Sequence, residues 1–302
     1  MRKTYSTRAF FFVAPAVIVL LAVGILPLIF AFWTSLEQFV LTKVRLQSTV
    51  LGIWPVFNAP FVWFQNYVGL LSDQSFLEAL GRTFLFLIIN LPIQLVLGMV
   101  IALLLHRSGN DWLKPIARVC LVIPMATTFA VVGLMGRLMF NSDFGVIDYF
   151  WSLLFGHKAQ WLADPRLAFV SVSVMDCWQW TPFCALVLYS SLTLVPLEIE
   201  EAAKLETDKW WHVLQRVQIP FMLPGITAIL ILRTADILKM FDVVFVMTRG
   251  GPGSATELMS IYVQRVGFRA FEQGTASAQA IVMLIISIVL SRIYIRLIYR
   301  EI

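Results

Sequence analysis

Charged residues are scarce in this chain of 302 residues. Asp, Glu, Lys and Arg together make up 14% of it, and hydrophobic residues make up 59%, whereas about a quarter of an ordinary soluble domain is charged. This scarcity excludes a soluble globular protein, because the surface of such a protein would be largely apolar. The composition indicates a chain that lies mostly within a membrane.

Cysteine and histidine are also rare, with three of each. The cysteines lie inside apolar stretches, where a thiol behaves as a small apolar group, and the histidines lie far apart along the chain. Neither spacing fits a disulfide framework or a zinc-binding motif. We therefore predict no metal site and place the histidines in loops or interfaces.

A nucleotide-binding motif is missing as well. The Gly-x-x-x-x-Gly-Lys-Ser/Thr segment that cradles the phosphates of a nucleotide does not occur in the sequence. We expect a chain that does not hydrolyse ATP itself, is not an enzyme and binds no cofactor of its own.

Six long apolar stretches recur along the chain, at residues 10–34, 80–105, 116–140, 167–192, 221–247 and 275–298. A helix of about 20 residues crosses the hydrocarbon core of a bilayer, so each stretch is long enough to span it. The first is too long for a signal peptide, whose apolar region has about 7 to 15 residues. We predict an all-α polytopic protein, with residues 1–302 forming one transmembrane domain of six helices.

Basic residues are distributed unevenly between the two sides of these spans. The termini and the short loops on their side are richer in Lys and Arg, for example at Lys204, Lys209 and Arg216, than the longer loops opposite. The positive-inside rule then places both termini in the cytoplasm. Since topology accounts for the net charge of +5, a nucleic-acid partner is not needed to explain it.

A polar segment at residues 196–220 separates the fourth and fifth spans. It starts at Pro196, is rich in helix-forming residues and ends near Pro220, which predicts a short helix, a turn and a second short helix. Apolar residues recur in it at three- and four-residue steps, so one face can pack on the membrane domain or on a partner. Composition alone is equally compatible with an interfacial helix that has no partner.

Particular residues in this segment resemble the "EAA" coupling loop of ATP-binding-cassette (ABC) importer permeases. The matching residues are Glu201, Ala202 and Ala203, then Glu206 at the acidic position, and finally Ile219-Pro220 at the expected ending. The sequence departs from the family at Thr207, where glycine is usual. A β-branched residue resists the left-handed conformation that glycine adopts readily, so the turn is either built differently or strained.

A second signature follows the fifth span. Its residues are Phe241, Asp242, Thr248, Gly250, Gly251, Pro252, Thr256 and Tyr262. They resemble the corresponding segment of carbohydrate-uptake permeases, the class that includes maltose and glycerol-phosphate importers. On its own, Gly-Gly-Pro indicates no more than a turn at the end of a span.

The two resemblances together imply a type I ABC importer permease fold with a cytoplasmic pair of coupling helices. The implied function is ATP-driven import of a carbohydrate or a related polyol or glycoside across the bacterial cytoplasmic membrane. The implied partners are a second homologous permease, a dimer of ABC ATPases that binds ATP and Mg²⁺, and a periplasmic or lipid-anchored substrate-binding protein. The implied ATPase-coupling residues are Glu200, Glu201, Ala202, Ala203, Glu206, Thr207, Ile219 and Pro220.

Ionisable residues inside the apolar stretches are candidates for function because burying them in a membrane is costly. The fifth stretch contains Arg233, Asp236, Lys239 and Asp242, whose signs alternate at three-residue steps that allow pairing along a helix. On a continuous helix these four residues would spread over half the circumference, so we expect that they do not all face one pore. One possibility is a structural role, either as a series of ion pairs along the helix or as a bond to a second permease. The other is that at least one of these residues lines the substrate path.

A second candidate group for the substrate path is Asp176, Trp178 and Trp180. Aromatic faces can cover a sugar ring while a carboxylate accepts its hydroxyl protons. The alternative is a tryptophan pair packed between helices, with Asp176 bonded locally.

Two other functions remain compatible with the sequence. An ion-coupled secondary transporter would use the carboxylates of Asp176, Asp236 and Asp242 to bind its coupling ion. A membrane scaffold that does not transport would need neither an ATPase nor a second permease.

Overall fold

The computed structural model describes residues 12–49, 52–57, 59–107 and 112–298, and most of these are helical. The helices are α1 (Phe12–Ser35), α2 (Gln65–Ser72), α3 (Gln74–Arg107), α4 (Leu113–Ala126), α5 (Phe129–Met139), α6 (Val146–Phe155), α7 (Pro165–Leu192), α8 (Leu197–Glu206), α9 (Trp210–Leu238), α10 (Asp242–Met247), α11 (Met259–Gln264) and α12 (Gln273–Ile298). An antiparallel hairpin of β1 (Val44–Thr49) and β2 (Gly52–Phe57) pairs Val44 with Phe57 and Thr49 with Gly52.

Four of these helices, α1, α3, α9 and α12, are each long and apolar enough to cross a membrane. Two further pairs, α4 with α5 and α7 with α8, pass the same test only as pairs, and they bend by 92° and 86°. The described residues therefore contain four to six membrane spans, depending on whether each bent pair is one span. Apolar side chains cover the surface of α1, as expected of a helix surrounded by lipid.

Most predicted spans coincide with helices. The described part of the first span lies in α1, and the second, fourth and sixth lie within α3, α7 and α12. The predicted third span at residues 116–140 is not one continuous helix, because Thr127 and Thr128 take extended backbone conformations and separate α4 from α5. The predicted fifth span also differs, since α9 ends at Leu238 and residues 242–247 form the separate helix α10.

The chain divides into two compact units. One comprises the chain up to Leu77 together with Val263–Ile285, and the other comprises Glu78–Tyr262 together with the segment from Ile286 onward. In the first unit, backbone bonds from Leu41 N to Phe271 O and from Gly274 N to Phe39 O, both of 3.0 Å, join its two sequence segments. Hydrogen bonds therefore tie the segment after α1 to the segment before α12.

In the second unit, close helix packing depends on glycines. A Cβ atom built on Gly98 of α3 would lie 2.7 Å from Cys184 Cβ of α7, and one built on Gly133 of α5 would lie 2.8 Å from Val246 Cβ of α10. Small residues let helix backbones approach closely in membranes, where lipid is as apolar as the side chains. These contacts fix α3, α5, α7 and α10 around the polar residues described next.

Candidate functional site

The break between α9 and α10 creates the first candidate site. After Leu238 the chain leaves the helix through Lys239, Met240 and Phe241, and the hydroxyl of Ser260 donates a hydrogen bond to the Met240 carbonyl. The charged residues around the break consequently do not follow the surface of one straight helix. They converge instead on one cavity.

This cavity has a volume of about 290 Å³. Six of the seven residues predicted for the substrate path line it, namely Asp176, Trp180, Arg233, Asp236, Lys239 and Asp242, and the remaining lining residues are Phe129, Gln179, Met240, Phe241 and Val243. The four charges of the fifth stretch thus line one cavity, because the chain breaks after Leu238 and does not form the continuous helix that was expected. Whether they all face one pore stays a prediction.

Trp178 does not line the cavity. Its side chain is 39% exposed, and it lies two residues from Trp180 on the same helix. Two residues correspond to a rotation of about 200°, so the two indole rings point to different sides of α7. Only Trp180 can therefore contact a molecule in the cavity.

A buried polar network holds the wall of the cavity together. The Arg233 guanidinium donates to both carboxylate oxygens of Asp176 at 3.0 and 2.9 Å and to Gln94 Oε1 at 2.9 Å. Gln94 Nε2 donates to Asp176 Oδ2 at 2.7 Å, and all three residues are at most 2% exposed. The network joins α3, α7 and α9, and it leaves Asp176 committed to Arg233 and Gln94.

The indole of Trp180 is held in a similar way. The Arg233 guanidinium carbon lies 4.4 Å from the centre of the Trp180 ring, in cation–π geometry. Phe129 stacks nearly parallel to the same ring, with an interplanar angle of 26° and centroids 6.0 Å apart. Neighbouring side chains thus already pack on the Trp180 ring, which lies in the cavity wall in a fixed orientation.

The remaining charges differ in whether they are paired. Lys239 Nζ lies 3.0 Å from Asp236 Oδ1, at the three-residue step that the sequence predicts. The rest of the predicted ladder is absent, since Arg233 pairs with Asp176 rather than with Asp236. Within the described residues, the exposed carboxylate of Asp242 has neither an ion pair nor a hydrogen bond.

Two buried amides also belong to this site, although no motif in the sequence indicates them. Gln94 completes the network, and Gln179 Nε2 donates to the Thr127 carbonyl at 3.1 Å, which helps to fix the break between α4 and α5. The Oε1 atom of Gln179 is buried and has no hydrogen-bond partner in the part of the chain that the structure describes. A lone amide within an apolar stretch is the sequence signal that could have identified both residues.

The second candidate site is the polar segment between α7 and α9. The predicted first helix is α8, and the predicted second helix, which starts at Trp210, continues into the fifth span without a break through a π-helical turn at Leu214–Gln218. Ile219 and Pro220 therefore lie inside α9.

Thr207 makes the turn between α8 and α9 without strain. Its φ angle is −152°, so the left-handed conformation that glycine would supply is not used. The hydroxyl oxygen of Thr207 accepts a hydrogen bond from Lys209 N at 3.2 Å and lies 3.3 Å from His212 Nδ1. Of the two predicted possibilities, a turn built differently from that of the family is the one observed.

A single buried side chain, Glu200, anchors α8. Its carboxylate lies 3.1 Å from His106 Nε2 at the end of α3, 2.9 Å from Lys204 Nζ, and 3.3 Å from Gln218 Nε2 in α9. Burial opposes ionisation of Glu200, but hydrogen bonds from Lys204 and His106 outweigh this effect and lower its pKa below the ordinary value. Glu200 is therefore a positioning residue that ties α8 to α3 and α9.

Most of the other predicted coupling residues lie on the surface. Glu201, Ala202 and Glu206 are exposed, Ala203 is half-buried, and Leu205 is 91% exposed. Leu205 lies near the C-terminal end of α8, so its exposed side chain adds apolar surface next to the predicted coupling residues.

The Gly-Gly-Pro segment forms a hydrogen-bonded turn after α10. Thr248 Oγ1 and Thr256 Oγ1 lie 2.6 Å apart, and Thr256 Oγ1 donates to the Gly251 carbonyl at 2.8 Å. Gly250 has a φ of +91°, a conformation that residues with a side chain rarely adopt. Thr248, Thr256 and the two glycines of the signature thus stabilise a loop, while Phe241 and Asp242 line the cavity.

Comparison with known proteins defines the class to which this chain belongs. The family model described as "Binding-protein-dependent transport system inner membrane component" matches residues 94–302, and the chain belongs to this family. It is thus the membrane-integral permease component of a transport system.

Individual relatives resemble the chain over nearly its whole length. The trehalose/maltose transport system permease protein MalF of Thermococcus litoralis is 28% identical over 284 residues, which cover 94% of this chain and 91% of MalF. The sulfoquinovosyl glycerol transport system permease protein SmoG of Agrobacterium fabrum is 29% identical over 286 residues, or 94% of this chain and 88% of SmoG.

A solved structure has the same fold. One chain of a bacterial ABC transporter involved in the import of the acidic polysaccharide alginate superposes with a TM-score of 0.81 at 16% sequence identity, and the match covers 99% of each chain. The predicted type I ABC importer permease fold is thereby confirmed.

Proposed function

We propose that this permease carries a carbohydrate, or a related polyol or glycoside, across the cytoplasmic membrane in an ATP-driven importer. The relatives are named for the transport of trehalose, maltose and a sulfoquinovosyl glycerol, all of them saccharides or glycosides. The polar cavity supports this cargo class most directly, because it combines hydrogen-bonding groups with aromatic side chains.

The cavity offers contacts that suit a polyhydroxylated molecule. Asp242 can accept hydrogen bonds from hydroxyl groups, and Gln179 adds a neutral amide to the lining. Phe241 and Trp180 supply apolar surface for the ring carbons of a sugar. Asp176 has a different role from the one that the sequence suggests, since its oxygens are engaged by Arg233 and Gln94 and hold the wall in place.

Coupling to ATP hydrolysis takes place at α8 in this proposal. The helix presents Glu201, Ala202 and Leu205 on its exposed surface while Glu200 fixes it to α3 and α9. A force applied to α8 by an ATPase would consequently be transmitted to the spans that carry Arg233 and Gln94. ATP and Mg²⁺ would bind to the ATPase dimer rather than to this chain.

The remaining partners complete an alternating-access mechanism, in which the path opens to the two sides of the membrane in turn. A second homologous permease completes the translocation path, and a substrate-binding protein delivers cargo from outside. Both termini and α8 then face the cytoplasm, as the distribution of Lys and Arg favours.

Copurification followed by an ATPase assay tests this function. The complete complex is reconstituted in nanodiscs with its binding protein, and ATP hydrolysis is measured with a panel of neutral saccharides. We expect at least one saccharide to stimulate hydrolysis several-fold. A chain that copurifies with neither an ATPase nor a second permease, or a complex that no saccharide or polyol stimulates, would contradict the proposal.

A further inference from the structure

We infer that the cavity admits cargo that is uncharged or carries an ammonium group, and that Asp242 disfavours cargo bearing a carboxylate, phosphate or sulfonate. This inference rests on the proposed function, because it narrows the class of saccharide that the same cavity would accept. It concerns the charge of the cargo, on which the family membership is silent.

The cavity carries more negative than positive charge. Its lining includes the carboxylates of Asp176, Asp236 and Asp242 but only two cationic groups, Arg233 and Lys239. Each cation is engaged by a carboxylate within 3.0 Å, Arg233 by Asp176 and Lys239 by Asp236. After these two pairs, one uncompensated negative charge remains.

That charge belongs to Asp242. Its side chain is exposed, it lines the cavity, and no ion pair or hydrogen bond engages it within the described residues. Its chain neighbours Phe241 and Val243 are apolar and also line the cavity. A ligand group that enters the cavity therefore meets a carboxylate whose charge no neighbouring cation neutralises.

Gln179 adds a neutral polar group to the same wall. Its side chain is 2% exposed, its Nε2 is bonded to Thr127, and its Oε1 has no partner among the described residues. Because the amide carries no charge, Asp242 alone sets the sign of the uncompensated charge in the lining.

Among the described lining residues, both cations are already paired when an anionic cargo enters. Arg233 is buried, with contacts to Asp176, Gln94 and the Trp180 ring, and Lys239, whose side chain is 72% exposed, is paired with Asp236. Like charges at short distance repel more strongly in a partly desolvated cavity than in water. The free carboxylate of Asp242 thus disfavours anionic cargo, and the two cations of the lining are already paired with other carboxylates.

The local potential can be measured without any cargo. In the complete transporter, the three native cysteines are replaced and Met240, which lines the cavity, is changed to cysteine. The rates of modification by a cationic trimethylammonium-ethyl and an anionic sulfonatoethyl methanethiosulfonate are then compared, each normalised to its rate with a small free thiol. We expect a cation-to-anion ratio at least tenfold above that of the free thiol, and Asp242→Asn should remove most of this preference.

Two controls keep the measurement decisive. Asp143→Asn removes an exposed carboxylate outside the cavity lining and should leave the ratio unchanged. A second cysteine position, Phe241→Cys, replaces Met240→Cys if that variant does not assemble. A ratio near that of the free thiol, a ratio insensitive to Asp242→Asn, or no reaction of either cysteine with either reagent would overturn the inference.

Uptake by the same complex separates this inference from the proposed function. A neutral saccharide is compared with its uronic acid, both chosen because the binding protein binds them, and Asp242→Lys should raise the acid-to-neutral uptake ratio at least tenfold. The binding protein is the same in both measurements, so its own selectivity cancels. If neutral saccharides are imported but Asp242→Lys does not change the acid-to-neutral uptake ratio, the inference on cargo charge is wrong and the proposed function stands. If no saccharide is imported, the proposed function is wrong, and the thiol measurement still reports the charge of the cavity.

Discussion

The tie between α8 and the rest of the permease can be broken by one substitution, Glu200→Ala. Alanine favours a helix at least as strongly as glutamate, so any loss of order in α8 would come from the lost contacts. The substitution removes the carboxylate from His106, Lys204 and Gln218 together. We expect α8 to open locally more often and ATP-driven uptake to fall.

The structure gives the size of this effect. A hydrogen bond to a charged group contributes about 1.5 to 3 kcal/mol, but the side chain of Lys204 is 59% exposed and such a surface pair contributes about 1 kcal/mol or less. The links to His106 and Gln218 therefore dominate, and about 2 kcal/mol is lost. That corresponds to roughly a 30-fold increase in the local opening equilibrium.

Hydrogen exchange measures this opening directly. In the nanodisc-reconstituted complex, amide exchange in peptides covering residues 197–206 should accelerate by about 30-fold, while peptides from α7 should be unchanged. Glu198→Ala is the matched control, since Glu198 is exposed and lies in the same first turn of α8. Equal exchange rates in the native protein and Glu200→Ala would refute the anchoring role of Glu200.

The lowered pKa of Glu200 adds a pH dependence with a definite sign. A carboxylate whose pKa is lower in the folded state stabilises that state at pH values above its unfolded pKa, and this stabilisation is lost as the pH falls through the lowered value. Protection of α8, corrected for intrinsic exchange rates, should therefore decline on acidification in the native protein. The decline should be absent in Glu200→Ala, and an identical decline in both would assign it to other groups.

Three further predictions concern the docking surface and the cavity. Glu201→Lys should abolish ATP-driven uptake without affecting membrane insertion, since it places the wrong charge on the exposed face of α8; normal uptake would contradict the coupling assignment. Trp180→Ala should lower saccharide uptake more than it lowers assembly of the complex. Trp178→Ala should leave uptake per assembled complex nearly unchanged, because the Trp178 side chain lies outside the cavity lining. An equal loss of uptake per assembled complex in the two variants would contradict this assignment. Asp176→Ala should reduce the yield of folded permease on size-exclusion chromatography, because leaving the buried Arg233 guanidinium unpaired costs about 3–5 kcal/mol. Asp176→Leu combined with Arg233→Leu should recover much of that yield. A native yield from Asp176→Ala alone would contradict the role of the pair.

The membrane spans could be predicted from the sequence because apolar length is a local property. The breaks inside them could not. Thr127 and Thr128 interrupt the third stretch where a Gln179 side chain of another helix captures the Thr127 carbonyl, and α9 ends where Ser260 bonds the Met240 carbonyl. Both partners lie far away in sequence, so no periodicity within the stretch reveals them.

The candidate site shows the same division between local and distant causes. The helical rotation between Trp178 and Trp180 is a local property, and the two-residue spacing alone is enough to keep both rings from facing one cavity. The pairing of Arg233 with Asp176 and Gln94 depends on three helices and could not be derived from the alternating charges of one stretch. At Thr207 only part of the turn could be predicted. The β-branched side chain shows that a glycine-type turn is disfavoured, but the sequence does not show that the Thr207 hydroxyl accepts a hydrogen bond from Lys209 N.

The energy source of uptake distinguishes an ATP-driven importer from an ion-coupled transporter. Right-side-out vesicles that contain the complete complex, with the binding protein outside and ATP trapped inside, are treated with ionophores that collapse all ion gradients, and uptake of a neutral saccharide is followed. Our account predicts that uptake continues, requires ATP hydrolysis and is lost in Glu201→Lys. Uptake driven by an ion gradient when no ATPase is present would contradict it.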